Sequence, residues 1–364
     1  MRTLFLLVLL IGRLAIAGEI DPYQNRFGRV KPVVAVIAEN HGTELTDFVI
    51  PYGVVARSRS AELVAVATQA GPVRMLPALK IDPQATIEEF DARYPDGADY
   101  LIVPAVAKSS DPALLAWVAA QGAKGATVVS ICDGALVVAN SGLFKGRRAT
   151  GHWATESHRK QRYPDTQWLT NVRYVADGKV VSSAGVSAAM PTALALVEAI
   201  AGRERAEEVS RQLGAGDWGT AHDSDIFKPR LGTNLAAYLT GYTNQWFHAV
   251  DRLGLPVAAG VDEIALAYTA DAWARSKRSR VYAVAADSSA LPTMHGLMLL
   301  PDGEGVEELR LLPPLPAATP AGEALDESLR AIAGRYGAST AKLVALEFEY
   351  IPASAPRARP IALD

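Results

Sequence analysis

The stretch that most constrains the fold runs from Thr127 to Val138. An apolar, β-branched run ends at Ser130-Ile131, the chain's single cysteine follows at Cys132, and Gly134 leads into an apolar segment of helical character. A strand without polar alternation is buried on both faces, as in a parallel sheet covered by helices. A cysteine directly after it, and a glycine two residues later, describe a tight turn into a helix. That turn lifts a side chain off the sheet edge beside a helix N-terminus, where negative charge is favoured. A thiol so placed is expected to have a lowered pKa and to be reactive. The other reading is that Cys132 is a small buried hydrophobe, the ordinary fate of a free cysteine. These residues alone leave both open.

The same kind of strand recurs upstream. Val33–Ala38, Leu63–Ala67 and Tyr100–Pro104 are apolar runs, and helices are expected over about 47–59, 86–94 and 112–121. Pro51 is expected in the first turn of the first helix, where its missing N–H costs little. Arg74–Leu79 reads as a further short strand. Past the elbow, Arg148–Thr150 is extended and a polar helix runs to Arg162. Val172–Ala176 and Val180–Ser183 flank Asp177-Gly178, a hairpin signal. A helix over 188–201 closes the unit. Strands alternating with helices imply βαβ units and a parallel sheet covered on both faces. Ligands in such sheets bind beyond the carboxyl ends of the strands, where Cys132, the loop after Ala38 and the residues after Val103 fall.

Residues 203–239, with a charged helix and the glycine-rich run 214–219, read as a connector. Residues 240–352 read as a smaller α/β module that partly echoes the first. Ala56-Arg57-Ser58-Arg59 and Leu63–Ala67 match Ala274-Arg275-Ser276-Lys277 and Val281–Ala285 at a constant offset, but the elbow has no counterpart. The module is expected to end in a helix over 322–336 and an alternating strand over 342–350. The Pro- and Ala-rich stretch 353–364 is expected to be a disordered tail.

The 364 residues, 49% hydrophobic and 21% charged, suffice for two domains. A net charge of -3 gives no reason to expect nucleic acid as a partner. At the N-terminus Arg2, the apolar run Leu4–Ile11 and the small residues Ala15-Ile16-Ala17 have the order of a secretory signal. Residues 1–17 are therefore expected to be a signal peptide, and the protein periplasmic or secreted. An uncleaved N-terminal segment is the alternative and the one membrane contact expected. No histidine spacing resembles a metal motif, and His222-Asp223-Ser224-Asp225 reads as an acidic turn. No metal or other cofactor is expected.

Over about residues 33–202 the chain resembles the ThiJ/PfpI superfamily. Three stretches carry the likeness: Val129–Ala135 at the elbow, Gly142–Trp153, and Asp177–Ala188. The last two are similar to segments of isonitrile hydratases and of the sensor halves of AraC-type regulators. The resemblance implies a flavodoxin-like α/β sandwich with Cys132 on a nucleophile elbow. It places Asp47, four residues before Pro51, as a protonated acid partner of the thiol, since a carboxyl beside a thiolate in a desolvated pocket has its pKa raised. Without the resemblance Asp47 reads as a helix N-cap. His152 matches a histidine near the cysteine in relatives; Asp133, Gly134, Ala105, Val106 and Gly185 are the expected pocket residues. Two departures stand out. Ala105-Val106 replaces a Gly-Gly whose amide helps form an oxyanion hole, and Asp133 replaces the histidine of the protease-like branch, which argues against a Cys-His-acid protease.

Two functions fit these residues. One is a cysteine-dependent hydrolase or lyase acting on a small carbon electrophile, through Cys132, Asp47 and His152. The other is a non-catalytic module that senses a ligand or oxidant, related to the AraC-type sensor halves. Either way the partner is a small molecule, and a homodimer is one expectation, since many relatives are dimers.

Overall fold

The structure, a computed structural model, describes residues 18–302, 308–316 and 319–352; the expected signal at 1–17 and tail at 353–364 lie outside them. Seven strands form the main sheet: β1 (Val33–Ala38), β2 (Glu62–Ala67), β3 (Ala85–Thr86), β4 (Tyr100–Val103), β5 (Thr127–Ser130), β6 (Tyr174–Asp177) and β7 (Val180–Ser183). Their order is β6-β7-β5-β4-β1-β2-β3. All neighbours run parallel except the β6–β7 hairpin, which Gly178 turns with φ 64°. Five helices cover the sheet, α1 (Leu45–Ser58), α2 (Ile87–Arg93), α3 (Pro112–Ala123), α4 (Gly134–Asn140) and α6 (Ala189–Ala201), and a short α5 (Glu156–Arg162) lies between α4 and α6 in the chain.

The unbroken apolar run of β1 has a direct cause. Val34, Val36 and Ala38 join Phe48, Val54 and Leu196 in one buried cluster, while Val33, Ala35 and Ile37 join Phe90, Trp117 and Val138 in another. Successive side chains point to opposite faces and both faces are core. The chain reverses its direction of progress across the sheet at β1, which β2 and β4 flank. The crevice beyond that switch point holds the ends of β1, β4 and β5.

The rest of the chain supplies α7 (Arg203–Leu213), α8 (Leu235–Phe247), β8 (Asp251–Pro256), α9 (Glu263–Arg275), β9 (Ser279–Val284), β10 (Arg310–Leu311), α10 (Ala324–Tyr336) and α11 (Ala338–Glu347). Strands β9, β8 and β10 make a parallel sheet in that order. The β8–α9–β9 unit repeats the order of β1–α1–β2, the physical content of the sequence echo. Its core is not its own. Leu253, Leu266 and Trp273 belong to the same buried cluster as Val34 and Phe48. Short strands at Thr43–Glu44, Val73–Leu76, Lys80–Asp82, Leu291–Pro292 and Met298–Leu299 form a further sheet drawn from both halves. Helix α7 also buries Ala206, Val209 and Leu213, so part of the expected connector is core.

Two expectations need correction. The strand expected over 342–350 is helix α11 and the turn after it. Thr340, Leu343 and Val344 are buried at helical spacing, the last turn is buried through Ala345 and Leu346 as well, and Ala338, Ala341 and Ala345 favour a helix. Pro51 is not in a first turn. Helix α1 starts at Leu45, so Pro51 lies inside it, and its missing N–H removes the donor that the Asp47 carbonyl would otherwise receive. Among the described residues no helix is long and apolar enough to cross a membrane.

Candidate functional site

The elbow is built from backbone. Strand β5 ends at Ser130, and the Ile131 N–H donates to the Val103 carbonyl at 2.9 Å. Cys132 then takes a left-handed φ of 55°, a strained conformation for a residue with a Cβ, and Gly134 begins α4. A Cβ at 134 would overlap the Val103 carbonyl oxygen, so only glycine lets α4 approach β4 this closely. The Cys132 N–H donates to Ser183 Oγ at 3.3 Å, and the residue is 7% exposed.

Asp47 lies fully buried in the first turn of α1. It is not the N-cap. Glu44 is, and its Oε2 accepts the Asp47 N–H at 2.6 Å. Asp47 Oδ2 accepts the Ala105 N–H at 3.2 Å, while Oδ1 is buried with no partner among the described residues. Burial, with Asp133 and Asp271 adding repulsion, pushes the Asp47 carboxyl up to about 8 despite the Ala105 bond and the Arg275 charge. Burial and the neighbouring Asp47 likewise raise Glu44 to about 7. Helix α9 reaches into this cluster. Arg275 pairs with Glu44 and donates from Nε to Asp271 Oδ1 at 2.6 Å, and Thr46 Oγ1 donates to Asp271 Oδ2 at 3.0 Å. The Ala105 amide is thus committed to Asp47, and the Ala105 carbonyl accepts from the Glu44 N–H at 2.9 Å.

The thiol departs from expectation. Burial pushes Cys132 up, and Asp47, Asp133, Glu44 and Glu349 each push it further. At neutral pH both the Cys132 thiol and the Asp47 carboxyl hold their protons. Among the described residues no hydrogen bond joins Sγ to Asp47 or to His152. Asp133 turns toward the segment over the elbow, where its Oδ1 accepts from Thr155 Oγ1 at 2.5 Å and lies 3.6 Å from Arg159 Nη1. Arg159 is buried, donates to the His152 carbonyl at 2.6 Å and stacks over Trp168.

His152 is hydrogen-bonded at one ring nitrogen and faces a carboxylate with the other. Nδ1 accepts the Ala154 N–H at 3.2 Å, which assigns the ring proton to Nε2, and Nε2 lies 3.6 Å from Glu349 Oε1. Neither nitrogen is hydrogen-bonded to the thiol among the described residues. Gly185 closes this corner: a Cβ there would stand 2.5 Å from Glu349 Oε1 and 2.6 Å from His152 Cδ2. Val106 sits in a single bridge to Thr43. The sequence reading missed Glu44, Asp271, Arg275, Arg159 and Glu349. The i, i+4 pair Asp271/Arg275 is the one local signal among them. No group of residues suited to a metal ion occurs among the described residues.

Compared with known proteins, residues 32–199 match the model of the DJ-1/PfpI family. The chain is 29% identical over 176 residues to an isonitrile hydratase of Pseudomonas putida, covering 46% of this chain and 72% of that protein. It is 34% identical over 105 residues to the HTH-type transcriptional regulator CdhR of Pseudomonas aeruginosa, covering 29% of this chain and 31% of that one. Among solved structures, a ThiJ/PfpI family protein from Pseudomonas syringae matches with 26% identity and a TM-score of 0.45, over 50% of this chain and 74% of its own.

Proposed function

Because residues 32–199 are a DJ-1/PfpI family domain, we propose that the chain is a cysteine-dependent enzyme for small, neutral carbon electrophiles, with Cys132 as nucleophile and Asp47 as proton donor. One observation carries this reading: a buried carboxyl raised to about 8, with one oxygen without a partner among the described residues, acts electrostatically on the thiol of a strained elbow. A donor must hold its proton at the working pH, and Asp47 does.

The neutral resting pair suits a substrate that needs a proton before it can be attacked. With an isonitrile, the substrate class in the name of the Pseudomonas putida relative, Asp47 gives its proton to the terminal carbon. Sγ bonds to the same carbon and the thiol proton passes to the Asp47 carboxylate, leaving a thioimidate. Water then adds to that carbon, one of its protons going to nitrogen. The C–S bond breaks, the second proton returns to sulfur, and a formamide leaves. Removal of residues 1–17 on export belongs to the same reading.

The test is turnover of an isonitrile panel by wild type, Cys132→Ser and Asp47→Asn. Wild type is expected to form the formamide, and each variant to lose about 10²–10⁴-fold. The wild-type rate should fall as pH rises through about 8, where Asp47 loses its proton. Full activity of Cys132→Ser, or no product from wild type, overturns the proposal. The second reading, a ligand sensor, is favoured by the low exposure and raised pKa of Cys132. It predicts a ligand-induced rise in melting temperature without turnover.

A further inference from the structure

We infer that Glu349, supplied from outside the DJ-1/PfpI domain, is a positioning residue of the Cys132 pocket: it holds the His152 imidazole and sets a buried carboxylate beside the elbow. The inference builds on the proposed role of Cys132, but its readout is thiol chemistry and needs no substrate.

The geometry is specific. Glu349 follows α11 in a left-handed conformation, φ 52°, and its side chain is fully buried. Its backbone is anchored on the Gly185–Ser187 motif. The Ser187 Oγ donates to the Glu349 carbonyl at 2.7 Å, and the Ser187 N–H donates to the Phe348 carbonyl at 2.9 Å. The carboxylate then enters the space that a side chain at Gly185 would fill. Oε2 accepts from Ser224 Oγ at 3.2 Å and lies 2.7 Å from His222 Nε2. Oε1 faces His152 Nε2 at 3.6 Å and the Trp153 N–H at 3.5 Å.

The groups that face Glu349 electrostatically are His152, His222, Arg159, Tyr238 and Cys132. Burial alone would raise the Glu349 carboxyl, but the His222 bond and the two imidazoles hold it below its ordinary range, so it is ionised. An ionised carboxylate held by His222, Ser224 and the Trp153 N–H, with His152 Nε2 facing it at 3.6 Å, is a fixed piece of the wall. It orients His152 through Nε2, and through His152 it fixes the segment that carries Thr155 and Arg159 against Asp133. It also opposes formation of the thiolate.

The experiment is the pH profile of iodoacetamide alkylation of Cys132 in the full chain, read at alkaline pH where an ordinary imidazole carries no charge. Glu349→Gln keeps the shape and removes the charge. Its midpoint should fall by at least about half a pH unit, roughly a threefold faster reaction at a fixed pH below the midpoint. Ser187→Ala cuts the backbone tether and keeps the charge, so its midpoint should match wild type. Equal midpoints for Glu349→Gln and wild type, or equal shifts in both variants, overturn the inference. A second measurement needs no variant. Imidazole ¹⁵N spectra of the wild-type protein should show His152 as the Nε2–H tautomer, and an Nδ1–H tautomer overturns the inference as well. Absence of turnover with isonitriles would sink the proposed enzyme and leave these outcomes untouched.

Discussion

Replacing Asp47 with asparagine keeps the side-chain shape and removes its proton chemistry. The Asp47 carboxyl is raised from 3.8 to about 8, chiefly by burial. Between those values the native state holds a proton that the unfolded chain has released. The group's stability contribution is therefore whole below the unfolded value and is lost as pH rises through about 8. Over that window the loss is about 1.4 kcal/mol per pH unit, and by pH 7 it has reached about 4 kcal/mol. Asparagine carries no such dependence. Its amide oxygen still accepts the Ala105 N–H, but an NH₂ replaces the partnerless Oδ1, at a cost of about 1–3 kcal/mol. Asp47→Asn should thus lie within about 1.5 kcal/mol of wild type at pH 5 and be more stable by about 1–3 kcal/mol at pH 7. Glu44, raised to about 7, titrates in both proteins and cancels to first order. Urea unfolding at pH 5, 6 and 7 measures the difference, and turnover assays should show activity lost as stability is gained. A difference that stays flat or shrinks with rising pH refutes the reasoning, because it would mean that Asp47 is already ionised in the folded protein.

Two further substitutions test the frame around the site. Gly134→Ala would set a Cβ against the backbone of Val103 and Pro104, which cannot move aside as a side chain could, and should cost about 3 kcal/mol in calorimetric unfolding; a loss below about 1 kcal/mol would show that α4 need not approach β4 so closely. Arg275→Met removes the cation between Glu44 and Asp271 and should cost about 3 kcal/mol at pH 7. Both acids have raised pKa values, so the deficit should narrow toward pH 5 as they hold their protons, and a deficit that is constant with pH would argue for lost packing alone.

The main sheet was legible because the burial of β1, β4 and β5 on both faces leaves an unbroken apolar signature that no half-exposed strand carries. The hairpin at Asp177-Gly178 and the elbow glycine were legible for a local reason: each position needs a backbone or a clearance that few residues supply. The C-terminal segment misled because the alternating row Val344, Leu346, Phe348 and Tyr350 shares Val344 and Leu346 with the buried side of the helix, and the alanines at 338, 341 and 345 decide between them. Asp47 and Cys132 could be paired only through family resemblance, since nothing local marks a contact between positions so distant in sequence. Glu349 had no signal at all. Its burial depends on a turn after α11, on two histidines from separate loops and on the absence of a side chain at Gly185, none of which a window around residue 349 contains.

The thiol is where local reasoning and structure part most sharply, and magnitudes show why. An elbow sets a cysteine at a helix N-terminus, and a helix dipole favours negative charge there by about 0.3–1 kcal/mol. Helix α4 has only seven residues. Burial opposes the thiolate on a scale of up to about 3–5 pKa units for a fully enclosed group, several times larger. Four carboxyl-bearing residues around Cys132 act in the same direction. The dipole therefore loses, and the elbow holds a neutral thiol. In the proposed reaction a proton must therefore move as the carbon–sulfur bond forms, and the role proposed for Asp47, whose Oδ1 has no partner among the described residues, is to give one proton and accept the other. In the proposed chemistry an anionic electrophile would meet the ionised carboxylate of Glu349 near the thiol, which is why uncharged substrates are proposed.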